Sequence, residues 1–110
     1  MQWLVTGCSS GLGLELARAI LASGQKCIAS SRNPSKTPEA VVETEKLGGI
    51  WIALDTAASN LEVLLKDAIA KFGAIDVFVN NAGYAAGGPL ETMEYQLPTF
   101  GRTLLILTYD

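Results

Sequence analysis

Gly7, Gly11 and Gly13 are the residues whose type and spacing most clearly suit chemistry, in the run Leu4-Val5-Thr6-Gly7-Cys8-Ser9-Ser10-Gly11-Leu12-Gly13-Leu14-Glu15-Leu16. Lacking a Cβ, they let a backbone turn tightly, approach a ligand closely and pack a helix start against a strand. Such a turn aims free N–H groups and the positive end of the helix at one spot, an anion site suited to a pyrophosphate. Ser9 and Ser10 lie within the turn, and the backbone N–H of Leu12 should face the same spot. The spacing is Gly-x-x-x-Gly-x-Gly, and taken alone it fits equally a tight strand-to-helix turn that holds no ligand. Other chemistry is poorly supplied. The chain has no His and only Cys8 and Cys27, too few ligands for a zinc site. The two cysteines make no Cys-x-x-Cys motif and fall in a turn and a strand, so reduced thiols are expected. A helix end would lower the Cys8 pKa if aligned with it, but the expectation is an inert small residue.

The elements that must position this turn follow from periodicity. An apolar strand over about residues 2–6 precedes a helix from Gly11 to Ala22, in which Leu12, Leu16 and Ile20 recur at helical spacing and Gly24 is the C-terminal cap. Residues 26–30 form a second strand, followed by the polar, Pro-broken loop Ser31-Arg32-Asn33-Pro34-Ser35-Lys36. Pro38 suits the first turn of a helix running to Leu47. Residues 50–54 are a continuous apolar strand, as in a parallel sheet covered on both faces. Leu61, Leu64, Leu65, Ala68, Ile69 and Phe72 then line one face of the clearest helix, entered through the capping box Ser59-Asn60-Leu61-Glu62. Residues 75–79 form the fourth strand. This alternation predicts right-handed βαβ units and a parallel sheet, an α/β fold.

Composition bounds the partners. A chain of 110 residues is one small domain or part of one. With 49% hydrophobic residues, 17% charged residues and a net charge of −3, it has no basic excess for nucleic acid or an anionic membrane surface. No apolar run approaches the roughly 18 residues of a membrane span, and the N-terminus lacks the charged and apolar regions of a signal peptide. A cytoplasmic location is the default expectation.

Thr6-Gly7-Cys8-Ser9-Ser10-Gly11-Leu12-Gly13, together with Asn80-Asn81-Ala82-Gly83 after the fourth strand, resembles the short-chain dehydrogenase/reductase family over residues 2–91. The resemblance implies a Rossmann-like three-layer α/β/α fold with strand order 3-2-1-4. In that order the chain reverses direction between strands one and four, leaving a crevice at their carboxyl ends where ligands bind. It also implies a nicotinamide dinucleotide, with Asn80 beside the adenosine ribose, Asn81 bridging neighbouring strands, and Ala82 and Gly83 letting the nucleotide pass close to the backbone. Two adjacent Asn can also be only a turn. Asp55, after the third strand, would accept from the adenine amino group; Asp55 and Thr56 equally suit a cap or a turn. Ser31 and Arg32 fall near the position where NAD-binding proteins carry an acid, about 20 residues past the glycines. An acid would repel the extra phosphate of NADP, whereas Arg32 can bond it through its fork and Ser31 can donate a hydroxyl, with Lys36 adding charge. Within the resemblance NADP(H) is therefore expected over NAD(H), although a loop Arg by itself is more commonly just solvated.

The resemblance breaks in the chain's last part. The family's reductases use a Tyr as general acid or base, a Lys four residues later and a substrate-orienting Ser. Here the tyrosines are Tyr84, Tyr95 and Tyr109, the last Lys is Lys71 and the last Ser is Ser59, so no residue is assigned a catalytic role. The expected organisation is a cofactor-binding segment over 1–91, truncated before the catalytic half, and a divergent tail over 92–110. In the tail, Leu104 to Leu107 suits a strand or a helix. Unless that run covers it, the strand over 75–79 is expected to be an exposed edge prone to self-association. The first functional expectation is the NADP(H)-binding segment of an oxidoreductase, inactive as this chain alone. The alternatives are a non-enzymatic nucleotide- or partner-binding module and a non-functional fragment.

Overall fold

The structure, a computed structural model, describes residues 1–9, 11–54, 61–81, 90–97 and 102–109. Its elements run β1 (Gln2–Val5), α1 (Gly11–Ala22), β2 (Lys26–Ser31), a 3-10 turn (Pro34–Lys36), α2 (Pro38–Lys46), β3 (Ile50–Ala53), α3 (Leu61–Phe72), β4 (Val77–Asn81), β5 (Leu90–Leu97) and β6 (Arg102–Tyr109). They build one sheet of order β3-β2-β1-β4-β6-β5. The expected order 3-2-1-4 is contained in it, with parallel pairing from β3 through to β6 and only β5 antiparallel.

Strand side chains alternate between two faces, and helices cover both. Leu4, Ile28 and Phe78, fully buried, pack with Leu65, Ala68 and Ile69 of α3 and with Ile75. Val5, Cys27, Ala29, Val77 and Val79 point the other way, against Ala17 and Ile20 of α1. α2 lies beside α1, joined by the bidentate pair of Arg18 with Glu43 at 2.8 and 2.7 Å. Both side chains are over two-fifths exposed, so the pair adds little stability. Pro38 opens α2 as expected, while Ala40 and Thr44 supply its buried stripe.

Several bounds differ from the expectations. Ser31 belongs to β2 rather than to the loop, because β3 continues to pair with it, Ser31 opposite Ala53. Residues 34–36 of that loop form the 3-10 turn. The fourth strand begins at Val77, two residues late, and takes in Asn80 and Asn81. These Asn are polar, yet their backbones extend the ladder opposite Thr108 and Tyr109 of β6. Ile75 precedes the strand, 1% exposed in the α3 cluster, and Asp76 accepts from the Gln2 N–H at 2.9 Å.

The outer edge of β4 takes the covered form of the two that were open: Leu105, Ile106 and Leu107 of β6 lie opposite Val77, Phe78 and Val79, so residues 104–107 are a strand and the β4 edge is paired. β5 spans the expected boundary at residue 91, and both tail strands join the same sheet. The proposed capping residues Ser59 and Asn60 lie outside the described residues.

Candidate functional site

The glycine turn connects β1 to α1 at the carboxyl end of the sheet. Gly7 has φ 67° and Gly11 φ 64°, left-handed values that side-chain-bearing residues adopt only at a cost. Neighbouring strands hold the turn on both sides: the Thr6 N–H donates to the Val79 carbonyl at 3.0 Å and the Cys8 N–H to the Ser30 carbonyl at 2.9 Å. The Ser30 hydroxyl donates to the Val5 carbonyl at 3.1 Å. Gly13 is buried in α1, where a small residue lets the helix start lie against the sheet, while Gly11 is exposed and Ser9 and Leu12 are half-buried. No acidic residue occupies the first turn of α1, so nothing there opposes an anion at its positive end.

Strand register brings the other candidates to this turn. Val5 lies opposite Ala29 of β2 and Val79 of β4. One step further along the parallel strands come Thr6, Ser30 and Asn80, and then Gly7, Ser31 and Asn81. Since β1 lies between β2 and β4, the point where the chain order reverses is at β1 and β4, where ligands of open α/β sheets bind. Arg32 and Lys36, both exposed, flank the start and end of the segment leading into the 3-10 turn. Neither side chain has an ion-pair partner among the described residues. Ser10, Asp55, Thr56, Ala82 and Gly83 lie outside the described residues; strand register sets Ser31 and Asn80 beside the turn that carries Gly7, Ser9, Gly11, Leu12 and Gly13, Arg32 follows Ser31 directly, and Lys36 lies further off, at the end of the 3-10 turn.

Two side chains differ in character from the rest. Cys8 is fully buried, its thiol donating to the Val5 carbonyl at 3.2 Å, and burial pushes its pKa up to about 11. Proximity to the start of α1 therefore does not activate it, and it is the inert residue the sequence suggested. Ser31 is 6% exposed, and its hydroxyl oxygen accepts from the Trp51 indole N–H at 3.0 Å. Trp51 was not among the sequence candidates. Within the apolar run of residues 50–54 it reads as one more core residue, and only the strand register reveals what its N–H meets.

A shallow apolar groove on α2, lined by Pro38, Val42 and Leu47 with Glu39, Glu43 and Lys46, is a poor match for a pyrophosphate because its carboxylates outnumber its one cation. Among the described residues, no helix is long and apolar enough to cross a membrane.

The family model for short chain dehydrogenases matches residues 2–104. Oxidoreductase claN of Passalora fulva is 41% identical over 90 residues, which cover 81% of this chain and 41% of that protein. Among solved structures, L-sorbose reductase of Gluconobacter frateurii, complexed with NADPH and L-sorbose, superposes with a TM-score of 0.61 at 28% identity, covering 84% of this chain and 35% of the reductase. An alcohol dehydrogenase of Thermococcus sibiricus complexed with 5-hydroxy-NADP gives a TM-score of 0.61 at 26% identity, covering 82% and 39%. The chain thus spans about two-fifths of the length of claN and of the alcohol dehydrogenase, and little more than a third of the reductase.

Proposed function

Because the chain belongs to the short-chain dehydrogenase family, we propose that it is the NADP(H)-binding segment of an oxidoreductase acting on a carbonyl or secondary alcohol. A bound nicotinamide would supply the hydride for such a reaction. The residues that fit the dinucleotide are the left-handed Gly7 and Gly11 with the N-terminus of α1 for the pyrophosphate, and Arg32 with Lys36 for a 2′-phosphate. Asn80, Asp55, Ala82 and Gly83 are assigned to the adenosine side, and Ser9 and Ser10 to the glycine turn.

The observation that carries the preference for NADP(H) is Arg32, exposed at the carboxyl end of β2 next to the glycine turn, where an acid would select NAD. A charge-assisted bond of about 1.5 to 3 kcal/mol corresponds to roughly a 10- to 150-fold preference. Titration of NADPH and NADH into the folded chain tests this. Stronger NADPH binding that Arg32→Ala abolishes is the expected result; equal affinities, or an Arg32→Ala variant that binds NADPH unchanged, would remove the basis for the preference.

Reduction of a carbonyl also needs a proton, and these 110 residues contain no Tyr-x-x-x-Lys to deliver it. Groups of that kind contribute about 10²- to 10⁴-fold. The chain by itself is therefore expected to bind the dinucleotide without turnover. NADPH oxidation above background with an aldehyde or ketone, lost on Gly13→Asp, would contradict that expectation. The pairing of β6 with β4 supports a folded binding module as the next reading, in place of a fragment unable to hold its sheet together.

A further inference from the structure

The carboxyl end of β2 is held from β3 at two points beyond the strand ladder. The Leu54 N–H donates to the Ser31 carbonyl at 2.9 Å, and the Trp51 indole N–H donates to the Ser31 hydroxyl oxygen at 3.0 Å. Ser31 is 6% exposed, and Trp51 is half-buried against the cluster that α1 covers. The indole takes one lone pair of the hydroxyl and leaves its proton, but so enclosed a group is poorly presented to a phosphate arriving from solvent. It is well placed, however, to fix the point at which the next residue leaves the sheet.

That next residue is Arg32. Beyond it the chain closes at once into the 3-10 turn, with the Lys36 N–H donating to the Asn33 carbonyl at 3.0 Å and the Thr37 N–H to the Pro34 carbonyl at 3.1 Å. The long side chain of Arg32 thus rises from a short segment whose two ends are both hydrogen-bonded. We infer that Trp51 and Ser31 are positioning residues for Arg32, their indole–hydroxyl bond setting the strand end from which the guanidinium reaches a 2′-phosphorylated dinucleotide. This rests on Arg32 being the group that meets the 2′-phosphate. A guanidinium forms its strong paired bonds only in a narrow planar geometry, so freedom at its backbone origin subtracts directly from the affinity it supplies. A phenyl ring would keep part of the Trp51 packing without donating, leaving the Ser31 hydroxyl free to turn.

The test measures dissociation constants of NADPH and NADH for the full 110-residue chain and for Trp51→Phe, Ser31→Ala, Arg32→Ala and the double variants, with thermal unfolding recorded for each. Trp51→Phe is expected to weaken NADPH about 2- to 10-fold, the worth of one neutral hydrogen bond, and to leave NADH unchanged. Ser31→Ala removes the same bond from the other side and should have the same effect, so that the Trp51→Phe/Ser31→Ala pair is no weaker than either single change. In the Arg32→Ala background both changes should have no effect on NADPH. Ser31→Ala carries the test by itself if Trp51→Phe fails to fold. Equal weakening of NADPH and NADH would overturn the proposal as a general loss of packing. Continued weakening by Ser31→Ala in the Arg32→Ala background would overturn it by showing that Ser31 meets the phosphate itself. Unchanged NADPH binding in both single variants would also overturn it. Failure of the underlying reading is seen separately, in equal NADPH and NADH affinities of the unaltered chain.

Discussion

Replacing Gly11 by Ala separates backbone strain from crowding in the glycine turn. Gly11 has φ 64°, and a Cβ built on it would meet nothing within 4 Å. The expected cost is therefore conformational alone, about 1–2 kcal/mol for an L-residue in the left-handed region. Unfolding entropy near 2.1 cal/mol/K per residue gives about 0.23 kcal/mol/K for a chain of 110 residues, so the melting temperature should fall by about 4–9 °C. Asn enters the left-handed region more readily than Ala, so Gly11→Asn should lose less although its side chain is larger. Gly49 supplies the opposite case. Its φ is not left-handed, but an added Cβ would lie 2.8 Å from Thr44 Cγ2 and 2.9 Å from Leu21 Cδ1, so there Asn should be worse than Ala. Circular dichroism melts of the four variants read both rankings. An unchanged melting temperature for Gly11→Ala, or a larger loss for Gly11→Asn, would refute the strain account.

Burial pushes the thiol of Cys8 up to about 11 and that of Cys27 up to about 12, the neighbouring Cys8 adding to the latter. Both folded values exceed the ordinary 9.0, so the folded state keeps its protons longer; stability from this source is full below about pH 9 and is lost as pH rises through 11 and 12. Denaturant titrations across that range should show the fall, and a Cys8→Ala/Cys27→Ala variant should show less of it. Phe78 is fully buried between β1 and α3, and Phe78→Ala should cost about 3–5 kcal/mol, read as a lower denaturant midpoint. The backbone amides of residues 105–107 should exchange as slowly as those of residues 77–79, whereas deletion of residues 102–110 should speed exchange throughout β4.

How much of this was legible beforehand depended on whether the signal was local. The bounds of α1 coincide with the expected Gly11–Ala22, and α3 ends at Phe72, before the Gly73 expected to stop it, because apolar spacing and the following glycine fix a helix from within its own residues. β4 was misplaced by two residues because a strand's extent is decided by its partner. Asn80 and Asn81 are poor strand formers in isolation and are held by pairing with β6. Leu104 to Leu107 was ambiguous for the same reason, a short apolar run carrying no period of its own. At the candidate site the glycines declared themselves through conformations that few other residues reach. What the Ser31 hydroxyl meets was not legible, since a serine next to an arginine reads as a loop residue until strand pairing, burial and the Trp51 indole N–H that its oxygen accepts place it at the end of β2.

The arrangement of β5 and β6 bears on what this chain can do. A parallel strand such as β4, lined by Val77, Phe78 and Val79, would present an apolar, unpaired edge if the chain stopped at Asn81. β6 satisfies that edge in parallel register, and β5 then closes the sheet antiparallel, as mixed sheets often do at an outer strand. The hydrogen bond from Thr6 to Val79 ties the glycine turn directly to β4, so whatever steadies β4 also steadies that turn. On the proposed reading, dinucleotide binding therefore depends on this sheet holding its carboxyl edge in place, since Gly7 and Ser31 are carried by β1 and β2 on one side of β4.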